Sequence, residues 1–381
     1  QDEELIEMLS AAGELTGAHP LAIITTARPG GDRAYDALRG SQHGVPLVTL
    51  DLGPMRAEDA LELANTAEDV SDLVRRRCLE RSAGNPLYLE QLLRNAEELT
   101  HSDVPASLRG LILARVDRLP APDKRALHAA AILGQRFDSD ALSHLLGTSS
   151  FDPSNLTRTG LLKAGSDGLA FGHALIRDAV LRSLLAEQRR SLHARAAQWY
   201  AQRDLILHAA HLQEAGDPGA AAAFRRAAED RLARYRSSEA LELVDRGLAC
   251  SDGESEAPRL MLLKAETLLE CGRASDAATA FRATIDLGPE ATIECRCRLG
   301  LAAAYRIMDD IELALAELDR AEELAHEIER HDLLSQCHHL RGNLLFPTGR
   351  MQECWTEHQL ALEAAEQAGD PEAKARALGG L

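Results

Sequence analysis

AAAYRIMDDIELALAELDRA, residues 302–321, reads as the end of one helix, a tight turn and most of a second helix. Ala302 is a small residue in the first helix, Asp309 follows seven places later in the turn, Ala314 five after that, and Ala321 seven after Ala314. The same register holds upstream at Ala265, Gly272, Ala277 and Thr284, and downstream at Gly342, Gly349, Cys354 and Ala361. Small residues on facing helices let the backbones approach closely enough to bury leucines between them. Phe281, Leu318 and His358, each four places after the small residue of the second helix, take the larger packing position. A register kept three times predicts stacked helical hairpins, each burying its apolar stripe against the next.

The small residues of the first helices are 37 and 40 places apart, more than the roughly 34 of a tetratricopeptide repeat, so each copy needs longer helices or turns. Residues 372–381 read as the first helix of a fourth copy. The repeats are assigned to 257–381 and purely helical connecting segments to 201–256. Cys354 stands in an alanine position and reads as a small buried hydrophobe. The charged surface of the repeats reads as a solvated face, and the groove such arrays form is the expected seat of a protein partner.

Composition agrees with a mainly α chain. Among 381 residues the hydrophobic share is 45%, enough for real cores, while aromatics are only 3%, which favours helices packed through small residues. The net charge of −18 argues against a general nucleic-acid surface, which needs clustered Lys and Arg. Seven cysteines, an odd number spread over helical patterns, read as reduced thiols. Cys295 and Cys297 are two places apart on a helix and point in different directions, so no metal site is expected there. No apolar run is long enough to cross a bilayer and no signal peptide is recognisable, so the cytoplasm is the expected compartment, without membrane contact.

The first hundred residues read differently. Leu21 to Ile24 is a short apolar run closed by Pro29, Gly30 and Gly31, the pattern of a strand buried in a parallel sheet, and Thr25 to Arg28 lie at its end. The other candidate strand is Val45 to Leu50, and two strands make no stable sheet. Residues 1–54 are therefore expected to be the last part of an α/β domain that begins upstream. Helices are expected at 2–15, 57–64, 70–81 and 86–99; Asn85 can cap the last of these and Pro86 suits its first position. These place a helical lid at 55–103.

From Val104 the apolar face of Leu108, Leu111, Ile112 and Val116 starts another region, 104–200. A second helix is expected to begin at Asp123, as its cap, with shorter ones at 139–146 and 153–160. Strands at 161–163 and 169–171 flank the turn signal of Gly165 to Gly168. Three helices and a hairpin make a winged-helix arrangement, continued by a helix at 174–185.

Taken together, these segments resemble the signal-transduction ATPases with numerous domains, the STAND group of P-loop ATPases. They are most similar to bacterial members in which the ATPase is followed by tetratricopeptide-like repeats and joined to a class III nucleotide cyclase or a LuxR-type DNA-binding domain. Gly84, Asn85, Pro86 and Leu87 match the glycine-x-proline motif of the lid, where the resemblance implies that Pro86 and Asn85 lie beside the adenine. Arg28 matches the sensor arginine, implying a report on the terminal phosphate by its planar donor fork. Asp51 ends a strand-like run but follows the sensor, and is read as structural. No stretch matches the phosphate loop, and the chain starts after the second phosphate-site strand, so no catalytic residue is assigned and no ATP hydrolysis is expected from this stretch alone.

The resemblance implies ATP and magnesium in the intact protein, with no cofactor bound by this part. The region 104–200 resembles the family's winged helix, in which Arg158 is the one cation of the short candidate recognition helix. It is expected to pack against the ATPase and not on DNA. His173 and His193 are expected to serve helix packing. The function implied is regulation by an ATP-binding switch with a repeat sensor, controlling an output such as a fused nucleotide cyclase; the alternatives are a LuxR-type transcription regulator and an interaction scaffold with a degenerate ATPase.

Overall fold

The computed structural model of the protein describes residues 24, 50–67, 70–94, 108–165, 168–251 and 256–381. The expected helix at 2–15 and Arg28 lie outside the described residues. So do the expected strands at 21–24 and 45–50, apart from their last residues Ile24 and Leu50, which are exposed and in no regular element. The chain divides into two compact bodies, 1–104 and 105–381.

In the first body, α1 (Ala57–Asn65), α2 (Asp72–Ser82) and α3 (Pro86–Leu93) pack on one another. Ala60, Ala64, Val74, Cys78, Leu89 and Leu92 are buried between them. Arg94 closes the last turn of α3, and the expected continuation at 95–99 lies outside the described residues.

The second body opens with α4 (Leu108–Asp117), α5 (Ala121–Leu133), β1 (Arg136–Phe137), α6 (Ser139–Leu146), α7 (Ser154–Arg158), β2 (Leu162–Gly165), β3 (Gly168–Phe171) and α8 (Ala174–Ser183). The expected hairpin is present, and β1 joins it to give an antiparallel sheet of order β1-β3-β2. Phe137 pairs with Leu169, and Leu162 with Phe171. Phe137, Leu162, Leu169 and Phe171 face a core shared with Ile112, Leu127, Leu142 and Ile176. One helix start and one side-chain role differ from expectation. Helix α5 begins at Ala121 after Pro120, because Pro122 in its first turn needs no N–H partner; Asp123 therefore lies inside the first turn, where its carboxylate accepts from Asn155 Nδ2 at 2.5 Å. His173 is exposed and caps α8, its Nδ1 accepting from the Leu175 amide at 3.1 Å.

The remainder is helical. Hairpins α9/α10 (Ala186–Tyr200, Leu205–Ala215) and α11/α12 (Ala220–Leu232, Ser237–Cys250) lead into α13/α14 (Glu256–Glu270, Ala274–Asp286), α15/α16 (Ala291–Ile307, Ile311–Glu327) and α17/α18 (His331–Leu345, Met351–Ala368), with α19 (Pro371–Leu378) last. Each hairpin packs on the next, and α13, α15, α17 and α19 also touch in series. Ala265, Ala302, Ala277, Ala314, Ala321 and Ala361 have no exposed surface, and Phe281 and Leu318 are equally buried. The turn residues Gly272, Asp309 and Gly349 adopt φ of 75, 62 and 77°, the left-handed residue that ends a helix and aims the chain back. Helices of up to 18 residues supply the extra length over a tetratricopeptide unit. Among the described residues, no helix is long and apolar enough to cross a membrane.

Candidate functional site

Among the described residues, two places are candidates for a site. The first is the turn into α3. Ser82 ends α2, Ala83 and Gly84 take left-handed φ of 47 and 75°, and Asn85 returns to an extended conformation before Pro86. Asn85 Oδ1 accepts from the Tyr88 amide at 2.9 Å, so the cap read from sequence is formed. A Cβ on Gly84 would stand 2.8 Å from the Pro54 Cβ, and the Met55 amide donates to the Gly84 carbonyl at 2.8 Å. The glycine is therefore required twice, for its φ and for the approach of residues 54–55. Asn85 and Pro86 present their side chains at the exposed entry of the helix. Arg28 lies outside the described residues, so of the three expected nucleotide-site residues the structure places Asn85 and Pro86. Asp51 is exposed.

The second place is the inner face of the repeats. A cavity of about 540 Å³ is lined by residues of α13, α14, α15, α17 and α19, with Leu269, Leu299 and Leu340 on its apolar side and Glu270, Arg296 and Arg376 on its polar side. A smaller one of about 280 Å³ is lined by α11, α13 and α15 residues, among them Arg225, Arg259 and Ile293. Glu266 and Arg296 line both, joined at 2.6 Å. Burial pushes the Glu266 carboxyl upward, against the pull of Arg296. Neither the cavities nor this pair was singled out from sequence, although the repeat register could have led to the arginines.

Other polar groups in the body serve packing. Buried His193 and His211 are hydrogen-bonded through Nδ1 atoms 2.9 Å apart, one ring donating and the other accepting, and burial pushes both rings down to about 4. The ring of Tyr200 stacks on His211 at 5.4 Å. Cys295 donates to the Ala321 carbonyl at 3.3 Å, while burial pushes the Cys297 thiol up to about 12, so the two thiols meet different surroundings. Among the described residues, no three or more His, Cys, Asp or Glu gather as metal ligands.

No family model matches the sequence, and no curated protein matches it. Among solved structures, the fold is similar to that of a signal-transduction ATPase with numerous domains that carries a tetratricopeptide repeat sensor, from Pyrococcus horikoshii. The likeness has a TM-score of 0.56 at 16% identity and covers 87% of this chain. This chain spans 50% of that one's length. YrrB, described as a TPR protein with an unusual peptide-binding site, matches 49% of this chain and 91% of its own, at 14% identity and a TM-score of 0.36. Aspartyl phosphate phosphatase F from Bacillus subtilis matches 87% of this chain and 80% of its own, at 12% identity and a TM-score of 0.40. The repeat region has a tetratricopeptide-like helical fold.

Proposed function

We propose that the chain is the regulatory part of a cytoplasmic ATP-binding signalling protein, in which a lid, a winged-helix module and a repeat sensor transmit nucleotide state. The observation that carries this reading is a fold likeness, covering 87% of the chain, to an ATPase with the same kind of sensor. The turn into α3 supports it locally: Gly84 and Asn85 hold Pro86 at the exposed start of a helix, as a lid residue beside a base requires. In this reading Arg28 reports the terminal phosphate, Pro86 and Asn85 meet the adenine, and ATP with magnesium occupies the intact protein. The small-sheet region acts as the winged helix of the switch. A partner on the repeats would bias the switch only by binding its two states differently.

The output, whether a fused nucleotide cyclase or a LuxR-type domain, would then be controlled by that equilibrium. The test is nucleotide binding by the full-length protein carrying Arg28→Ala or Pro86→Ala. Weaker binding or altered turnover is expected in each. Unchanged affinity and turnover in both would sink the assignment.

A further inference from the structure

The inner face of the repeats has a regularity of charge. Arg259 on α13 and Arg296 on α15 are 37 residues apart, and Gln336 on α17 and Arg376 on α19 follow at steps of 40. These are the steps of the repeat itself, so the four side chains occupy one register position. Arg296, Gln336 and Arg376 line the larger cavity, and Arg259 lines the smaller one beside Arg296. On α11, Arg225 extends the row 34 residues earlier.

The simplest account of such arginines is that they tie helices together, and Arg225 does so through Glu256 at 2.9 Å and Glu229 at 2.7 Å. The others keep capacity to spare. Arg259 has its carboxylates, Glu256 and Glu290, at 3.7 and 3.8 Å, beyond hydrogen-bond length. Arg296 reaches Glu266 and Arg376 reaches Glu372 through one terminal nitrogen each, at 2.6 and 2.9 Å. A guanidinium has five N–H donors in a planar fork, so each can take a second carboxylate.

We propose that this groove holds an extended peptide whose acidic side chains recur at every third position, interrupted by a neutral polar residue opposite Gln336. Packed helices are about 8–10 Å apart. A polyproline II strand advances about 3.1 Å per residue with three residues per turn, so every third side chain points the same way after roughly 9 Å. Acids at the first, fourth and tenth positions, with an amide or hydroxyl at the seventh, then face Arg259, Arg296, Arg376 and Gln336, in one chain direction or the other. Leu269, Leu299 and Leu340 meet the stems between them. Residues 201–381 hold 33 Asp and Glu against 20 Lys and Arg. That field opposes a continuous polyanion and favours spaced carboxylates met one by one, so a peptide is preferred to single-stranded nucleic acid.

This inference rests on the repeats binding a protein partner. The test is fluorescence anisotropy of the full chain with labelled, proline-rich 12-residue peptides: one with acids in the spaced pattern, in both chain directions, one with the same acids contiguous, one uncharged, and a randomised pool. The spaced peptide is expected to bind about tenfold more tightly than the contiguous one. Arg259→Ala and Arg296→Ala should each lose about that factor, with circular dichroism unchanged. Gln336→Arg should shift preference to a peptide with an acid at the seventh position too. Equal binding of spaced and contiguous peptides, or tighter binding of a single-stranded oligonucleotide that the arginine variants abolish, overturns the inference and leaves groove binding standing. No binding by any peptide, the pool included, overturns both.

Discussion

Two junctions in the repeats bury a ring against a glycine, one between successive hairpins and one within a hairpin, and the two rings differ in chemistry. Phe281 on α14 has no exposed surface and lies on Gly300 of α15, where a Cβ would overlap its ring. His358 on α18, at the equivalent register position, lies on Gly342 of α17, where a Cβ would stand 2.7 Å from Nε2. Phe281 offers nothing polar. His358 is 2% exposed, and its Nδ1 is buried with no hydrogen-bond partner. Burial lowers its pKa and so disfavours the charged ring. The repeat register thus specifies a volume and a close approach, and it is indifferent to polarity until the energy is counted.

The claim about close approach is the easiest to break. Alanine is the better helix former by about 1 kcal/mol, so propensity alone predicts that Gly300→Ala stabilises α15. The overlap with Phe281 predicts the reverse, a loss of about 3 kcal/mol as the ring or the helix shifts. Urea unfolding measures which wins, and Phe281→Leu in the same background should recover part of the loss. A variant as stable as the parent would show that the junction yields freely.

Buried imidazoles outside the repeats sharpen the comparison through pH. His193 on α9 and His211 on α10 are each 8% exposed and face one another. Burial holds both near pKa 4, below the ordinary value of 6.5. The unfolded chain therefore binds more protons than the folded one between these values. Stability is full above pH 6.5, falls as pH drops from 6.5 to 4, and loses nothing further from this source below that. By pH 5 the loss should be about 2 kcal/mol, allowing for the partial solvent contact of the rings. The urea midpoint at pH 7.5 and pH 5 tests it, with His193→Asn expected to flatten the slope. A slope unchanged by that substitution would assign the pH dependence to other groups.

Periodicity explains what could be read in advance. Ala302, Asp309 and Ala314 recur in register because every copy must solve the same packing and turning problem, and the left-handed φ of Asp309 and its two glycine counterparts follows from position. Asn85 and Pro86 were legible as a helix start because both act within one turn. Strand β1 was not, since its two residues are too few to alternate and exist as a strand only by pairing with β3. His211 lies 18 residues from His193 with nothing local to announce the contact. The row from Arg259 to Arg376 was open to the same periodic reading as the alanines. Surface arginines are common enough, however, that only the cavities single these out. Arg28 needs its strand and a phosphate site to acquire meaning, and it lies outside the described residues.

The smallest expected effect tests polarity alone. Leu318 fills in the second repeat the place that His358 fills in the third, and it is fully buried. His358→Leu keeps a side chain of similar bulk on Gly342 and removes a buried nitrogen that lost its water without gaining a partner, a defect of about 1–3 kcal/mol. Against this stands the loss of the tilted contact with His339, whose ring centroid is 5.3 Å away and whose Nδ1 is also buried without a partner. The flat imidazole also fits its slot better than a branched side chain, which costs part of the gain. The balance is a stabilisation of about 1 kcal/mol in urea unfolding at pH 7.5. Because the neutral ring of His358 resists protonation, the advantage of leucine should grow as pH falls below 6.5, where only the parent's unfolded state takes up the extra proton. A loss of stability at both pH values would mean that the Nδ1 atom has a partner in solution, and that the histidine is held there by a bond and not by the volume its register demands.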